Sequence, residues 1–188
     1  MVRFAVTLRL PFVDIAVQDI SDLLPKRQGT AVAGPFLIIE RSHGLALESD
    51  SRAQMGWKPC LKTVHGSVDQ QWGFRRVAGS NDEYVILSLA NGMALDATFE
   101  PENHRNVLVW EEHAEPWQRW TLQRTPDSLG FQIKTCHVGH RSIDVGQAPG
   151  VGDSVWLWDS HGLAHQTFLI VPVNRVASRN LSSKRASG

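Results

Sequence analysis

The sequence predicts an all-β fold, a closed barrel of twelve short strands in three equal groups. Two observations carry the expectation. Matching residues recur at an interval of 48, and each interval holds four β-prone runs separated by turn residues. A fixed internal period sets the architecture before any local reading. Closing the strands into a barrel with pseudo-threefold symmetry removes the edges that an open sheet exposes.

The period is carried by many positions at once. Gln70, Gln118 and Gln166 keep it, as do His65, His113 and His161. So do Trp72, Trp120 and Phe168, and Leu47, Leu95 and Ile143. Glu48, Asp96 and Asp144 follow, then Gly66, Ala114 and Gly162, and Trp110 with Trp158. Three units fill residues 34–173, leaving an N-terminal extension, 1–33, and a tail, 174–188. One domain with small appendages suits this length.

In chain order, the extension comes first. Val2, Phe4, Val6, Leu8 and Leu10 alternate with Arg3, Ala5, Thr7 and Arg9, which predicts a half-buried strand. An unpaired apolar strand needs a partner, so residues 2–12 are expected to pack on the domain or across a homodimer interface. "VDIAVQDISDLL" after it reads as a short helix. Each unit then opens with a β-prone run ("PFLIIE", "EYVILSL", "GFQIKT"), a turn, and a second run ("LALES", "MALDA", "RSIDV"). A polar loop leads to a third run ("KPCLK", "NVLVW", "SVWLW"), and a last one follows Gln-x-Trp or Gln-x-Phe. Short strands bounded by turn signals describe an all-β domain. The tail is rich in Ser, Arg and Lys, which predicts disorder.

Alternation sorts the faces. Val107 and Val109 oppose Leu108 and Trp110, and Val155 and Leu157 oppose Trp156 and Trp158. The aliphatic pairs belong inward, so the tryptophans stand outward. They either pack over a neighbouring loop or face a ligand. Gln118 and Trp120 are expected on one side of one strand, with Trp72, Trp120 and Phe168 filling the core. The glutamines then brace loop backbone. Asp96 and Asp144 at their turns either cap backbone N–H groups or bind ligand, and the two roles are compatible.

Charge and composition exclude several classes. The extension sums to +1 and the tail to +4, so the repeats carry −5 within a neutral chain. That argues against nucleic acid, which needs a basic face. No run of 18 apolar residues occurs, so no transmembrane segment is expected. The N-terminus lacks the pattern of a secretion signal. Cys60 and Cys136 occupy unrelated places in their repeats, which reads as two free thiols in a cytoplasmic protein. Asp96 and Asp144 sit in different repeats, too far apart for a paired-carboxylate enzyme. Neither an enzyme nor a cofactor is expected. "CHVGH" and "HGLAH" have metal-like spacing without a supporting cluster, so no metal is expected either. His65, His113 and His161 read as peripheral turn residues.

The repeated "ALD…VLVW…H-x…Q-x-W" pattern resembles the β-trefoil of the ricin B-chain (R-type) lectins, in a form without disulfides. The resemblance implies a galactose- or N-acetylgalactosamine-type site in each repeat. A carboxylate accepts from vicinal hydroxyls, an aromatic stacks on the sugar's C–H face, and the Gln and its preceding residue complete the contacts. A sugar offers one apolar face and a rim of hydroxyls, so this combination suits it. Carried over, repeat three supplies Asp144, Trp158, His165 and Gln166, with Trp156 on the same outward face. Repeat two supplies Asp96, Trp110, Trp117 and Gln118. Repeat one has Glu48, Lys62, Asp69 and Gln70; the lysine removes the stacking platform, and the site is expected to be silent. The implied partners are glycans or glycoconjugates. Two rivals use the same scaffold: a protein-binding trefoil acting through its loops, and a targeting module of a toxin or effector assembly.

Overall fold

The computed structural model describes residues 31–137 and 139–173, Leu24, and the backbone of 7–10 and 13–16. In chain order the strands are β1 (Thr7–Leu10), β2 (Val13–Ala16), β3 (Val32–Glu40), β4 (Leu45–Glu48), β5 (Cys60–Thr63), β6 (Trp72–Arg76) and β7 (Glu83–Ser88). Then follow β8 (Ala94–Asp96), β9 (Leu108–Trp110), β10 (Trp120–Arg124), β11 (Phe131–Thr135), β12 (Ser142–Asp144), β13 (Trp156–Trp158) and β14 (Phe168–Pro172). Strands β3, β6, β7, β10, β11 and β14 pair in turn, and β14 returns to β3, which closes a six-stranded barrel. Three hairpins, β4–β5, β8–β9 and β12–β13, grow from β3, β7 and β11. This is a β-trefoil. Among the described residues the only helical pieces are single 3₁₀ turns.

One layer of the core repeats three times. Trp72 and Trp120 are fully buried and Phe168 almost so, meeting Leu47, Leu95 and Ile143 from the three hairpins. Burying such rings supplies a large share of the apolar driving force. The indoles also orient the hairpins: Trp72 Nε1 donates to Leu47 O and Trp120 Nε1 to Leu95 O, each at 3.0 Å. Those carbonyls immediately precede Glu48 and Asp96, so the barrel fixes the backbone next to each carboxylate.

Two local expectations are corrected. Gln70, Gln118 and Gln166 lie not in strands but at the ends of 3₁₀ turns, Val68–Gln70, Pro116–Gln118 and Ala164–Gln166. The turn points each amide back at its own hairpin, which a strand geometry would not. In the extension, Val13–Ala16 is a strand rather than the start of a helix. It pairs antiparallel with β1, from Thr7↔Ala16 to Leu10↔Val13. Val13 and Ile15 are β-branched and favour extended backbone, and the pairing satisfies the backbone groups on the facing edge of each strand. Residues 2–6, 11–12 and 17–23, and the tail 174–188, lie outside the described residues.

Candidate functional site

The site begins with the glutamine. Gln166 is fully buried, and its Oε1 accepts from the backbone N–H of His161 and Gly162 at 3.0 and 3.4 Å. Its Nε2 donates to Asp159 O and to Asp144 Oδ2, at 3.0 and 2.9 Å. Gln118 repeats this with His113, Ala114, Glu111 and Asp96, and Gln70 with His65, Gly66, Thr63 and Glu48. A buried amide with its donors and acceptor satisfied is a rigid bracket. Each bracket holds one carboxylate.

The carboxylate is fixed from the other side as well. Asp144 Oδ1 accepts from Gly146 N at 2.6 Å, and Asp96 Oδ1 from Thr98 N at 2.7 Å. The residue after each acid donates to the residue before each glutamine: Ser49 to Asp69, Ala97 to Trp117, Val145 to His165. Capping and bracing therefore coexist at Asp96 and Asp144. Burial pushes the Asp96 carboxyl above its ordinary value, against the hydrogen bonds from Gln118 and Thr98 and the charge of His113.

The three repeat-invariant histidines belong to this network and are not peripheral. His161 Nδ1 accepts from Leu163 N at 3.2 Å, and His65 and His113 do the same with Ser67 and Glu115. A backbone N–H can only donate, so the neutral ring carries its proton on Nε2. That N–H faces the carboxylate. In repeat one the longer Glu48 reaches it, with His65 Nε2 at 2.8 Å from Oε2. In repeats two and three the shorter aspartates fall back, to 3.7 Å for His113–Asp96 and 3.5 Å for His161–Asp144. His165 adds a second imidazole 3.7 Å from Asp144 Oδ2. The result is a carboxylate with 5% of its side chain exposed and two unbonded ring nitrogens over it.

Asp144, His161 and His165 offer ligand atoms within 4.8 Å of one another. The wiring does not suit a cation. A metal on His161 Nε2 would move the ring proton to Nδ1, against the Leu163 N–H already pointing there, and the Gln166 amide already occupies Asp144 Oδ2.

The register places the outward aromatics. Asp144 pairs with Trp156 and Ser142 with Trp158, both rings half-buried on the carboxylate's face of the hairpin. In repeat two the same places hold Leu108 opposite Asp96 and Trp110 opposite Ala94, with Trp110 40% exposed. Trp117 meets Phe99 at 5.3 Å, His113 at 5.5 Å and His137 at 5.8 Å between ring centroids. It forms an aromatic cluster next to Gln118.

A further threefold set was not read from the sequence. Gly56, His104 and Gly152 keep the 48-residue interval, all have positive φ (85°, 65° and 100°), and each donates its N–H to the strand of another repeat. Gly56 bonds Val109 O beside Trp110, His104 bonds Leu157 O beside Trp158, and Gly152 bonds Leu61 O beside Lys62. Glycine adopts this backbone without strain, so His104 is the costly member. Its ring lies against Trp158, 4.2 Å between centroids and edge-on at 76°. Asn103 holds the loop there by donating to Asp159 at 3.0 Å and accepting from Arg141 at 2.9 Å.

Both cysteines are free, and burial pushes the Cys136 thiol up to about 12. Among the described residues, no helix is long and apolar enough to cross a membrane.

Comparison with known proteins agrees with this architecture. Residues 68–158 match the model of a family described as ricin-type beta-trefoil lectin domain-like. The resemblance read from the repeats therefore holds. No curated protein matches the sequence significantly. Among solved structures, the chain is similar to the designed threefold-symmetric protein ThreeFoil (21% identity, 73% of this chain and 98% of that one, TM-score 0.66). It is similar to the Macrolepiota procera ricin B-like lectin solved with lactose (17%, 77% and 100%, TM-score 0.63). It is also similar to the C-half of the earthworm R-type lectin solved with N-acetylgalactosamine (19%, 73% and 98%, TM-score 0.55). At these identities the likeness establishes the fold.

Proposed function

We propose that the domain is a lectin that acts by binding alone, holding galactose- or N-acetylgalactosamine-type glycans at the hairpins of repeats three and two. One observation carries the reading. At Asp144 and Asp96 a braced carboxylate stands beside an imidazole N–H that it does not reach, at 3.5 and 3.7 Å. Both groups keep hydrogen-bonding capacity for a hydroxyl, which is donor and acceptor at once. Trp156 and Trp158 supply a flat apolar wall on the same face at repeat three. The lactose and N-acetylgalactosamine of the two lectin structures are the sugars to try first.

A glycan array followed by calorimetry with lactose tests this. Binding to galactose-terminated glycans is expected, with Trp158→Ala losing the repeat-three share and leaving the urea transition in place. An empty array, with the folded protein intact, would turn the reading towards a protein-binding trefoil.

A further inference from the structure

Repeat one lacks the stacking aromatic, yet it holds a cavity of about 310 Å³ bounded by the β4–β5 hairpin, the loop after Glu48 and Val109. Its lining differs from the carboxylate sites in kind. Glu48 Oε2 is taken by His65 at 2.8 Å and by Gln70 at 3.1 Å. Asp50 is taken by the Arg52 guanidinium, at 3.0 and 2.8 Å, which holds its carboxyl down to about 2. Both acids on the wall therefore have their own partners. The two cations there do not: among the described residues, neither Lys58 nor Lys62 makes an ion pair.

An aromatic face is also present, from an unexpected direction. Trp57 lines the same cavity from the loop and is 46% exposed. It is held there by pairing with Val109 of repeat two. Gly152, whose N–H bonds Leu61 O next to Lys62 in sequence, has no side chain, and a Cβ there would meet nothing within 4 Å. Gly152 therefore puts no ring beside Lys62, where its counterpart His104 sets an imidazole edge-on to Trp158. An open cleft with one flat apolar wall and two unpaired ammonium groups suits a ring that carries negative charge.

We propose that repeat one is itself a ligand site and that it takes a sugar ring bearing an anionic group, a carboxylate or a sulfate. Trp57 packs on the C–H face of the ring, and Lys62, with Lys58 at the rim, pairs with the anion. The proposal rests on the reading of the domain as glycan-binding, but on no residue of the repeat-two or repeat-three sites.

Indole N–H signals in a ¹H–¹⁵N spectrum of the full chain test it, with Trp57 assigned from Trp57→Phe. Galacturonic acid and galactose 6-sulfate are the probes, galactose and inorganic sulfate the controls. The Trp57 signal is expected to move with the anionic sugars and to stay fixed with galactose or sulfate alone. Lys62→Met, which keeps the apolar stem, is expected to weaken this binding about tenfold, as for loss of a charge-assisted hydrogen bond, and added salt to weaken it further. A response to only one anionic sugar assigns the charged group and sustains the proposal. It is overturned if Trp57 is unmoved by both, if galactose or sulfate moves it equally, or if Lys62→Met with Lys58→Met leaves the response intact. The two readings separate in the same spectra. Trp158 moving with galactose while Trp57 ignores the anionic sugars removes this proposal alone. Trp57 responding while galactose moves no indole removes the galactose sites alone.

Discussion

In repeat three, Asp144 stops 3.5 Å short of His161, whereas in repeat one Glu48 meets His65 at 2.8 Å. The brackets around them are the same: a buried glutamine, a histidine whose Nδ1 accepts from the backbone, and a carboxylate on the second strand of the unit. One methylene separates an acid that closes on its own imidazole from one that leaves both partners open. The fold tolerates either, because the bracket is made by the glutamine. Only the open version retains an acceptor and a donor for a ligand hydroxyl. The aromatic partners diverge in step. Trp156 and Trp158 line repeat three, while Cys60 and Lys62 take those places in repeat one and Trp57 comes in from the loop.

The largest effect should fall on what the two repeats share. Gln166→Ala and Gln70→Ala each remove the bracket's bonds to two backbone N–H groups, a carbonyl and a carboxylate, leaving Asp144 only its Gly146 partner and Glu48 only His65. Each stranded group costs about 1–3 kcal/mol before water relieves it. A loss of about 2–4 kcal/mol in urea unfolding is expected for both variants. A much smaller loss in repeat one than in repeat three would break the equivalence of the brackets.

Next comes the methylene itself. Asp144→Glu lets repeat three close on His161 as repeat one closes on His65. Lactose affinity at that site is expected to fall about tenfold, the loss of one net hydrogen bond, with the urea midpoint nearly unchanged. Unaltered affinity would mean that the open carboxylate–imidazole pair is not the recognition element.

Repeat two sharpens the comparison through pH. Because burial raises the Asp96 carboxyl above its ordinary 3.8, lowering the pH should neutralise it, and weaken lactose binding there, before an ordinary aspartate titrates. Folding responds in the opposite sense. The folded chain binds this proton more tightly than the unfolded chain does. The Asp96 contribution to stability is thus fullest below the unfolded value and is lost as pH rises through the folded one. Comparing urea midpoints of the parent and Asp96→Asn across about pH 3–7 isolates that slope.

The smallest effect concerns His104. His104→Gly restores the residue type found at Gly56 and Gly152, relieving a left-handed backbone that costs about 1–2 kcal/mol while giving up a ring contact of about 0.5–1.5 kcal/mol. Stability should change by no more than about 1.5 kcal/mol, and acrylamide quenching of Trp158 fluorescence should increase. Unchanged quenching would mean that the imidazole does not shield the ring.

The barrel was legible in the sequence because its determinants repeat: Trp72, Trp120 and Phe168 keep one interval and one environment. The site was legible only in part. The acids and glutamines were visible as types, and the structure joins them directly. The histidines share the same interval, and that was the available signal, but their place before Gly66, Ala114 and Gly162 reads locally as a turn. Their role depends on the Nδ1 contact, which fixes where Nε2 points. Pro116 at the first position of its 3₁₀ turn could have shown that Gln118 precedes its strand. The Gly56–His104–Gly152 set was hidden for a different reason. Each member acts on another repeat's strand, so no single unit displays the contact.

The central claim is that two of the three hairpins, those with an aspartate and an outward tryptophan, bind neutral galactose-type sugars. Titration calorimetry with lactose on the parent and on Trp110→Ala, Trp158→Ala and the double variant measures it directly. The account predicts two sites per chain in the parent, one in each single variant, and no heat from a double variant that still unfolds cooperatively. Lactose binding that persists in the folded double variant, or none in the parent, would contradict it.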